Sequence, residues 1–165
     1  MRVLVTYGST HGGTAGLADM VAAALRRHGV PVDVREVEDV EELTGYDAVV
    51  LGGALYAGRW PRTLRRFVRR RAAELRLLPV AVFSSGPLDD SAGREEIPPT
   101  ASVRRAMARV GATEHVTFGG CLAADVTGFP AAAMARDHAG DWRDAAHVGR
   151  WVDHLVRAWA LLDAA

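Results

Sequence analysis

The chain has no lysine. All twenty of its fixed cations are arginines, balanced by twenty carboxylates, so the formal net charge is zero. Without lysine there is no P-loop, whose lysine must reach the nucleotide phosphates. There is also no pyridoxal phosphate site, which needs a lysine for its Schiff base. Zero net charge, with no basic surface interleaved with aromatics, excludes nucleic acid as an expected partner. A single cysteine, Cys121, leaves no intrachain disulfide and no Cys-x-x-Cys metal or redox motif. Histidines and carboxylates are scattered without ligand spacing, and no metal is expected. Long apolar runs are absent as well: nothing approaches the ~20 residues that cross a bilayer. The apolar start "MRVLVTY" is too short for a signal peptide, so cytoplasmic residence is the expectation. No Gly-x-Ser-x-Gly occurs, and no nucleophilic serine is expected.

What is present is a globular composition, 49% apolar over 165 residues, enough for one domain, 1–165, with its own core. "RVLVTY" (2–7) and "DAVVLGG" (47–53) have the near-continuous apolar character of strands buried on both faces. "PVDVREV" (31–37), "PVAVFSS" (79–85) and "HVTFGGCLA" (115–123) complete five strands. Between them, Leu17, Val21, Ala24 and Leu25 recur at helical spacing from Thr14 to His28, and Gly29 stops that helix. Pro61 opens a helix to about Leu77, with Leu64, Phe67, Val68 and Leu75 on one face. A further helix is expected near 102–110. A last one, capped by Asp141, carries Trp151, Leu155, Trp159 and Leu162. Cys121 reads as a small core residue at the end of the fifth strand. Strands alternating with helices give an α/β fold, a doubly wound five-stranded parallel sheet of order 2-1-3-4-5. A receiver domain shares that topology but needs acidic residues after its first strand and a lysine near its last; this chain has neither.

In such a sheet, ligands bind beyond the carboxyl ends of the strands, where the strand order reverses. Three loops lie there. "GSTHGGT" (8–14) is rich in glycine and hydroxyls and runs into a helix. Ser9, Thr10, Gly12, Gly13 and Thr14 form a phosphate cradle without lysine or metal. His11 stands in it either as a further donor or as an exposed loop side chain. The glycine spacing is not Gly-x-Gly-x-x-Gly, which disfavours a dinucleotide site. "GGALYAGRWP" (52–61) offers glycines for close backbone approach and two flat faces, Tyr56 and Trp60, for a planar ligand. "SSGPLDDSAGREEIPP" (84–99) is long enough to be functional. A phosphate cradle beside an aromatic clamp describes a site for flavin mononucleotide (FMN).

"YGSTHGGTAGLA" resembles the flavodoxin signature, a strand followed by Ser/Thr-x-Thr-Gly-x-Thr, with His11 and two glycines where Thr-Gly-Asn is usual. The spacing of "DAVVLGGALYAGRW", "LRRFVRRRAAEL" and "PVAVFSS", and then "DWRDAAHVGRWVDHL", is similar to that of the flavodoxin-like menaquinone-dependent protoporphyrinogen IX dehydrogenases. The resemblance implies that Ser9 to Thr14 hold the FMN phosphate. It also implies that Ala54, Leu55, Tyr56, Ala57, Gly58 and Trp60, with Ser85, Gly86, Pro87 and Leu88, hold the isoalloxazine. "AADVTGFPAAAMARDHAG" (123–140) is shorter than the basic insertion of those enzymes and keeps only Arg136 as a fixed cation. The expectation is an FMN-dependent oxidoreductase with a quinone, a reductase or a small-molecule substrate as redox partner, and with peripheral membrane contact. The alternatives are an electron carrier without a substrate of its own and a binding module that has lost flavin. No catalytic acid or base is assigned. Arg62, Arg65, Arg66, Arg69 and Arg70 line the outer face of one helix. They read either as a solvated face or as a docking patch for an acidic partner, anionic lipid or substrate carboxylates.

Overall fold

A computed structural model describes residues 1–9, 12–125, 127–128 and 131–163, with side chains as far as Ala160. Thr10 and His11 of the cradle, and the side chain of Leu162 in the last helix's apolar stripe, lie outside what is described. Five parallel strands form one sheet in the order β2-β1-β3-β4-β5. They are β1 (Val3–Gly8), β2 (Val32–Glu36), β3 (Ala48–Ala54), β4 (Val80–Ser85) and β5 (Glu114–Phe118).

Period-two side-chain alternation divides the core between the two faces of this sheet. Val3, Val5, Ala48, Val50, Ala81 and Phe83 point to one side, where α1 (Gly13–Arg27) and α7 (Ala145–Asp163) cover them. Leu4, Val49, Leu51, Val80 and Val82 point to the other side, under α2 (Arg62–Arg70), α3 (Ala72–Leu75) and α5 (Ala101–Val110). A strand buried on both faces has no polar side to show, which is why these runs are apolar throughout. His28 and Asp153, 2.7 Å apart, tie α1 to α7 at the surface.

Four local expectations are corrected. The helix from Pro61 is broken at Arg71 (φ −102°, ψ 11°) into α2 and α3. The bend turns Leu75 fully into the core, while the Arg71 guanidinium reaches the Glu74 carboxylate and the Glu41 carbonyl. The fifth strand stops at Phe118 rather than running to 123. At Gly119 a β-carbon would lie 2.1 Å from the Trp142 carbonyl oxygen, so only glycine lets the chain turn away there. After the turn, β6 (Cys121–Leu122) pairs antiparallel with β7 (Gly140–Asp141), and α6 (Ala131–His138) fills the interval that reads as loose in the sequence. Cys121 is consequently half-buried in this small hairpin rather than in the core. Finally, Asp141 does not cap the last helix. Its carboxylate accepts two guanidinium N–H groups of Arg143, at 2.8 and 2.6 Å. Asp144 takes the capping role, accepting the Ala146 N–H at 2.8 Å.

Candidate functional site

Register brings the three loops together. Gly8 of β1 lies opposite Gly53 of β3, and Gly53 opposite Ser84 of β4, so all three strand ends open side by side. The close packing needs the glycines: a β-carbon on Gly8 would sit 2.8 Å from Leu64 Cβ, and one on Gly53 2.6 Å from Leu64 Cδ2.

Helix α1 starts immediately beyond β1. Its N-cap, Gly12, has φ 78°, a conformation that favours glycine, and no side chain among the described residues caps the helix. Ser9 Oγ accepts the Gly12 N–H at 3.0 Å and closes the loop on itself. The first turn holds no carboxylate, so the partial positive charge of its free N–H groups is not neutralised locally. Thr14 sits in that turn. It is 1% exposed and its hydroxyl has no hydrogen-bond partner among the described residues. Such a buried hydroxyl costs about 1–3 kcal/mol if left unmatched. Uncompensated N–H groups, an orphaned hydroxyl and a left-handed glycine fit an anion such as phosphate. The chain contains no asparagine or glutamine, so amide donors here come from the backbone.

Arg143 lies over the next turn of α1: a β-carbon on Gly16 would be 1.9 Å from its Nη1. The Asp141 carboxylate holds this guanidinium in place and keeps it protonated, pushing its pKa further up. Sequence reading missed this fixed cation, and only the small residue at Gly16 hints at it.

The second loop is a tight hairpin turn. Tyr56 and Arg59 exchange backbone hydrogen bonds of 2.9 and 3.0 Å, and the two residues between them, Ala57 (φ 48°) and Gly58 (φ 73°), are both left-handed. Glycine suits such a position; alanine is strained there by about 1–2 kcal/mol. Ala57→Gly is therefore expected to raise stability by about 0.5–1 kcal/mol, less than the full strain because glycine also frees the unfolded chain. Urea unfolding checks this. Thr100 Oγ1 donates to the Gly58 carbonyl at 2.7 Å and holds the turn from below.

Ala54, Leu55, Tyr56, Ser85, Gly86 and Leu88 line one small cleft, facing Gly120–Leu122 and the Ala131 and Met134 side chains of α6. Backbone bonds sew its walls together: Leu55 N–H to the Ser85 carbonyl, Gly86 N–H to Phe118, and Gly120 N–H to Pro87, each 2.9 Å. Burial pushes the Tyr56 phenol pKa up. Ala57, Gly58 and Pro87 border this cleft without lining it. Trp60 corrects the sequence expectation. It is 3% exposed, packed with Leu64 in the core, and its indole N–H donates to Ser84 Oγ at 3.0 Å. It anchors the loop from beneath and presents no flat face to a ligand. Cys121 and Met134, read from the sequence as core and loop, belong to the cleft wall instead. The cleft encloses about 50 Å³, well below the several hundred Å³ of a drug-sized ligand site. The start of α1 thus suits a phosphate group, whereas the cleft is too small for an isoalloxazine ring.

A larger cavity, about 440 Å³, runs along β5 and α7 and includes His115, His147 and Trp151. Burial holds His115 down to about 4 from an ordinary 6.5. Its folded pKa is below its unfolded one, so the unfolded chain binds the extra proton first as pH falls. Stability is expected to decline between about pH 6.5 and 4, and His115→Phe should flatten that slope in urea titrations at the two pH values.

Comparison with known proteins places this geometry. Residues 4–134 match the family model described as "Flavodoxin domain". The chain belongs to the flavodoxin-domain family. Members of that family are FMN-binding flavoproteins. Oxidised Flavodoxin 2 from Bacillus cereus superposes with a TM-score of 0.61 at 21% identity, over 96% of this chain and 99% of that one. The flavodoxin of Streptococcus pneumonia TIGR4 superposes with a TM-score of 0.62 at 19% identity, over the same shares. Both establish the fold. Protoporphyrinogen IX dehydrogenase [quinone] from Escherichia coli (strain K12) is 30% identical over 86 residues, 51% of this chain and 48% of that enzyme. The chain therefore matches about half the length of this curated relative. No described helix is long and apolar enough to cross a membrane, and no described cluster of histidine, cysteine or carboxylate can hold a metal ion.

Proposed function

We propose that this flavodoxin-domain protein binds FMN and works as an oxidoreductase related to the protoporphyrinogen IX dehydrogenases, passing electrons to a quinone. The observation that carries the FMN reading is the uncapped start of α1, with Gly12 left-handed and the buried Thr14 hydroxyl unmatched. FMN, when bound, supplies the electron-accepting chemistry. The protein's residues position it. Amides of Gly13 and Thr14, with the Thr14 and Ser9 hydroxyls, would hold the phosphate, and Thr10 and His11 are further candidates from the sequence. The backbone of Ala54–Gly58 and Ser85–Leu88 would border the ring, with Tyr56 and Leu88 as apolar walls. Met134 and Ala131, which line the cleft, would have to make room for it. No side chain of the cleft is needed as a proton donor.

The relative's name and the half-length match support a porphyrinogen substrate and a quinone acceptor. The test is anaerobic addition of protoporphyrinogen to the FMN-loaded protein. Loss of the oxidised flavin band, restored by a quinone, supports the dehydrogenase. A flavin that is bound but reduced only by a flavoprotein reductase identifies an electron carrier, and a chain that ignores FMN leaves a binding module.

A further inference from the structure

The zero net charge conceals a strong separation. Residues 59–76 and 100–111 hold eleven of the twenty arginines and one carboxylate, Glu74; the rest of the chain holds nine arginines and nineteen carboxylates. Those two segments are α2, α3 and α5 with their approaches, which share one face of the sheet. The one carboxylate is engaged by Arg71.

On the β2 side of α2 the charge is partly balanced, because Arg66 and Arg70 share a cavity with Glu38 and Glu41. On the α5 side it is not. Two adjoining grooves of about 230 and 630 Å³, which share Arg105 and Arg109, also take in Arg59, Arg65, Arg69 and Arg76, and no carboxylate lines either. None of these six arginines has an ion pair among the described residues. Backbone carbonyls fix two of them: Arg65 donates to Trp60 at 3.0 Å, and Arg76 to Arg109 and Ala108 at 3.0 and 3.1 Å. The floor between them is alanine and valine. Next in the chain to Arg76 stands Leu77, 84% exposed.

We infer that the α2–α3–α5 face docks on an anionic lipid surface, with the arginines on head-group phosphates and Leu77 entering the acyl boundary. Arginine's planar fork suits phosphate oxygens, and a membrane accounts for both the unpaired cations and the exposed leucine beside them. A nucleic acid would call for stacking aromatics; the groove's one aromatic residue, Trp60, is buried. The face runs from Arg59, in the hairpin beside the candidate flavin cleft, to Leu77, which precedes β4 at the other end of the sheet. The inference does not depend on flavin binding.

The experiment is co-sedimentation of the flavin-free protein with phosphatidylcholine vesicles, with and without an equal part of phosphatidylglycerol. Binding is expected to the anionic vesicles alone and to weaken at high salt. Arg105→Glu/Arg109→Glu should lower partitioning by about a thousandfold, and the gentler Arg105→Ala/Arg109→Ala by about thirtyfold. Leu77→Ser should lower it about tenfold, whereas Arg157→Glu, on α7 across the sheet, should leave it unchanged. No binding to anionic vesicles, equal loss from Arg157→Glu, or no effect of Leu77→Ser would overturn the inference. So would binding to RNA or an acidic protein in place of vesicles. Because no FMN is added, failure here is separate from failure of the flavin reading.

Discussion

Thr14→Val is expected to leave the flavin-free protein as stable as the parent, or up to about 1 kcal/mol more stable, while weakening FMN binding by about 10- to 100-fold. The two effects have opposite signs because of one atom. The Thr14 hydroxyl is buried without a partner among the described residues, so exchanging it for a methyl group of the same shape removes an unmatched polar group from the flavin-free state. With the phosphate in place, the same hydroxyl becomes a donor to a charged acceptor, an interaction roughly twice as strong as a neutral one. A hydroxyl with a purely packing role would give no change in affinity, and one with a hidden internal partner would give a loss of stability. Urea unfolding of the flavin-free variant and fluorescence titration with FMN measure the two quantities separately.

Trp60→Ala carries the largest expected loss of stability, about 3–5 kcal/mol. The indole is enclosed by Leu64 and by the Gly53 backbone, where a β-carbon would meet it at 2.7 Å, and its N–H is the partner of the buried Ser84 hydroxyl. Trp60→Phe keeps most of the packing and removes only that hydrogen bond, costing about 1–3 kcal/mol. Because the residue lies beneath the loop, Trp60→Phe should leave FMN affinity and the shape of the bound flavin spectrum unchanged. A Trp60 ring stacked on the isoalloxazine would instead change both. Chemical denaturation and visible spectra of the same variant decide between an anchor and a stacking face.

This residue also marks where the sequence stops being legible. The five strands, their order and the three converging loops follow from periodicity and small-residue clusters, because strands buried on both faces leave a continuous apolar signature. The junction of β1 and α1 is legible on other grounds: few backbone tasks require Gly12, Gly13 and Thr14 together between a strand and a helix. A tryptophan near a helix start, however, reads alike whether it staples the helix or faces a ligand. Its orientation depends on Ser84 and Leu64, which are distant in the chain. The Cys121–Leu122 and Gly140–Asp141 hairpin is a pairing of two-residue strands, too short to show alternation. Its only trace is the Gly119–Gly120 doublet, which reads in the sequence as part of the fifth strand. The shift of the last cap from Asp141 to Asp144 has a similar cause. Both aspartates precede the helix, and the Arg143 guanidinium decides which one is free to accept an amide. The break at Arg71 has no sequence signature at all, since arginine is a good helix former.

The most direct measurement is a pair of calorimetric titrations, with FMN and with riboflavin, which differ only in the phosphate. If the start of α1 is a phosphate cradle, FMN binds at one site and at least about a hundredfold more tightly than riboflavin. Equal affinity for the two, or no binding of either, would contradict a site built around that anion.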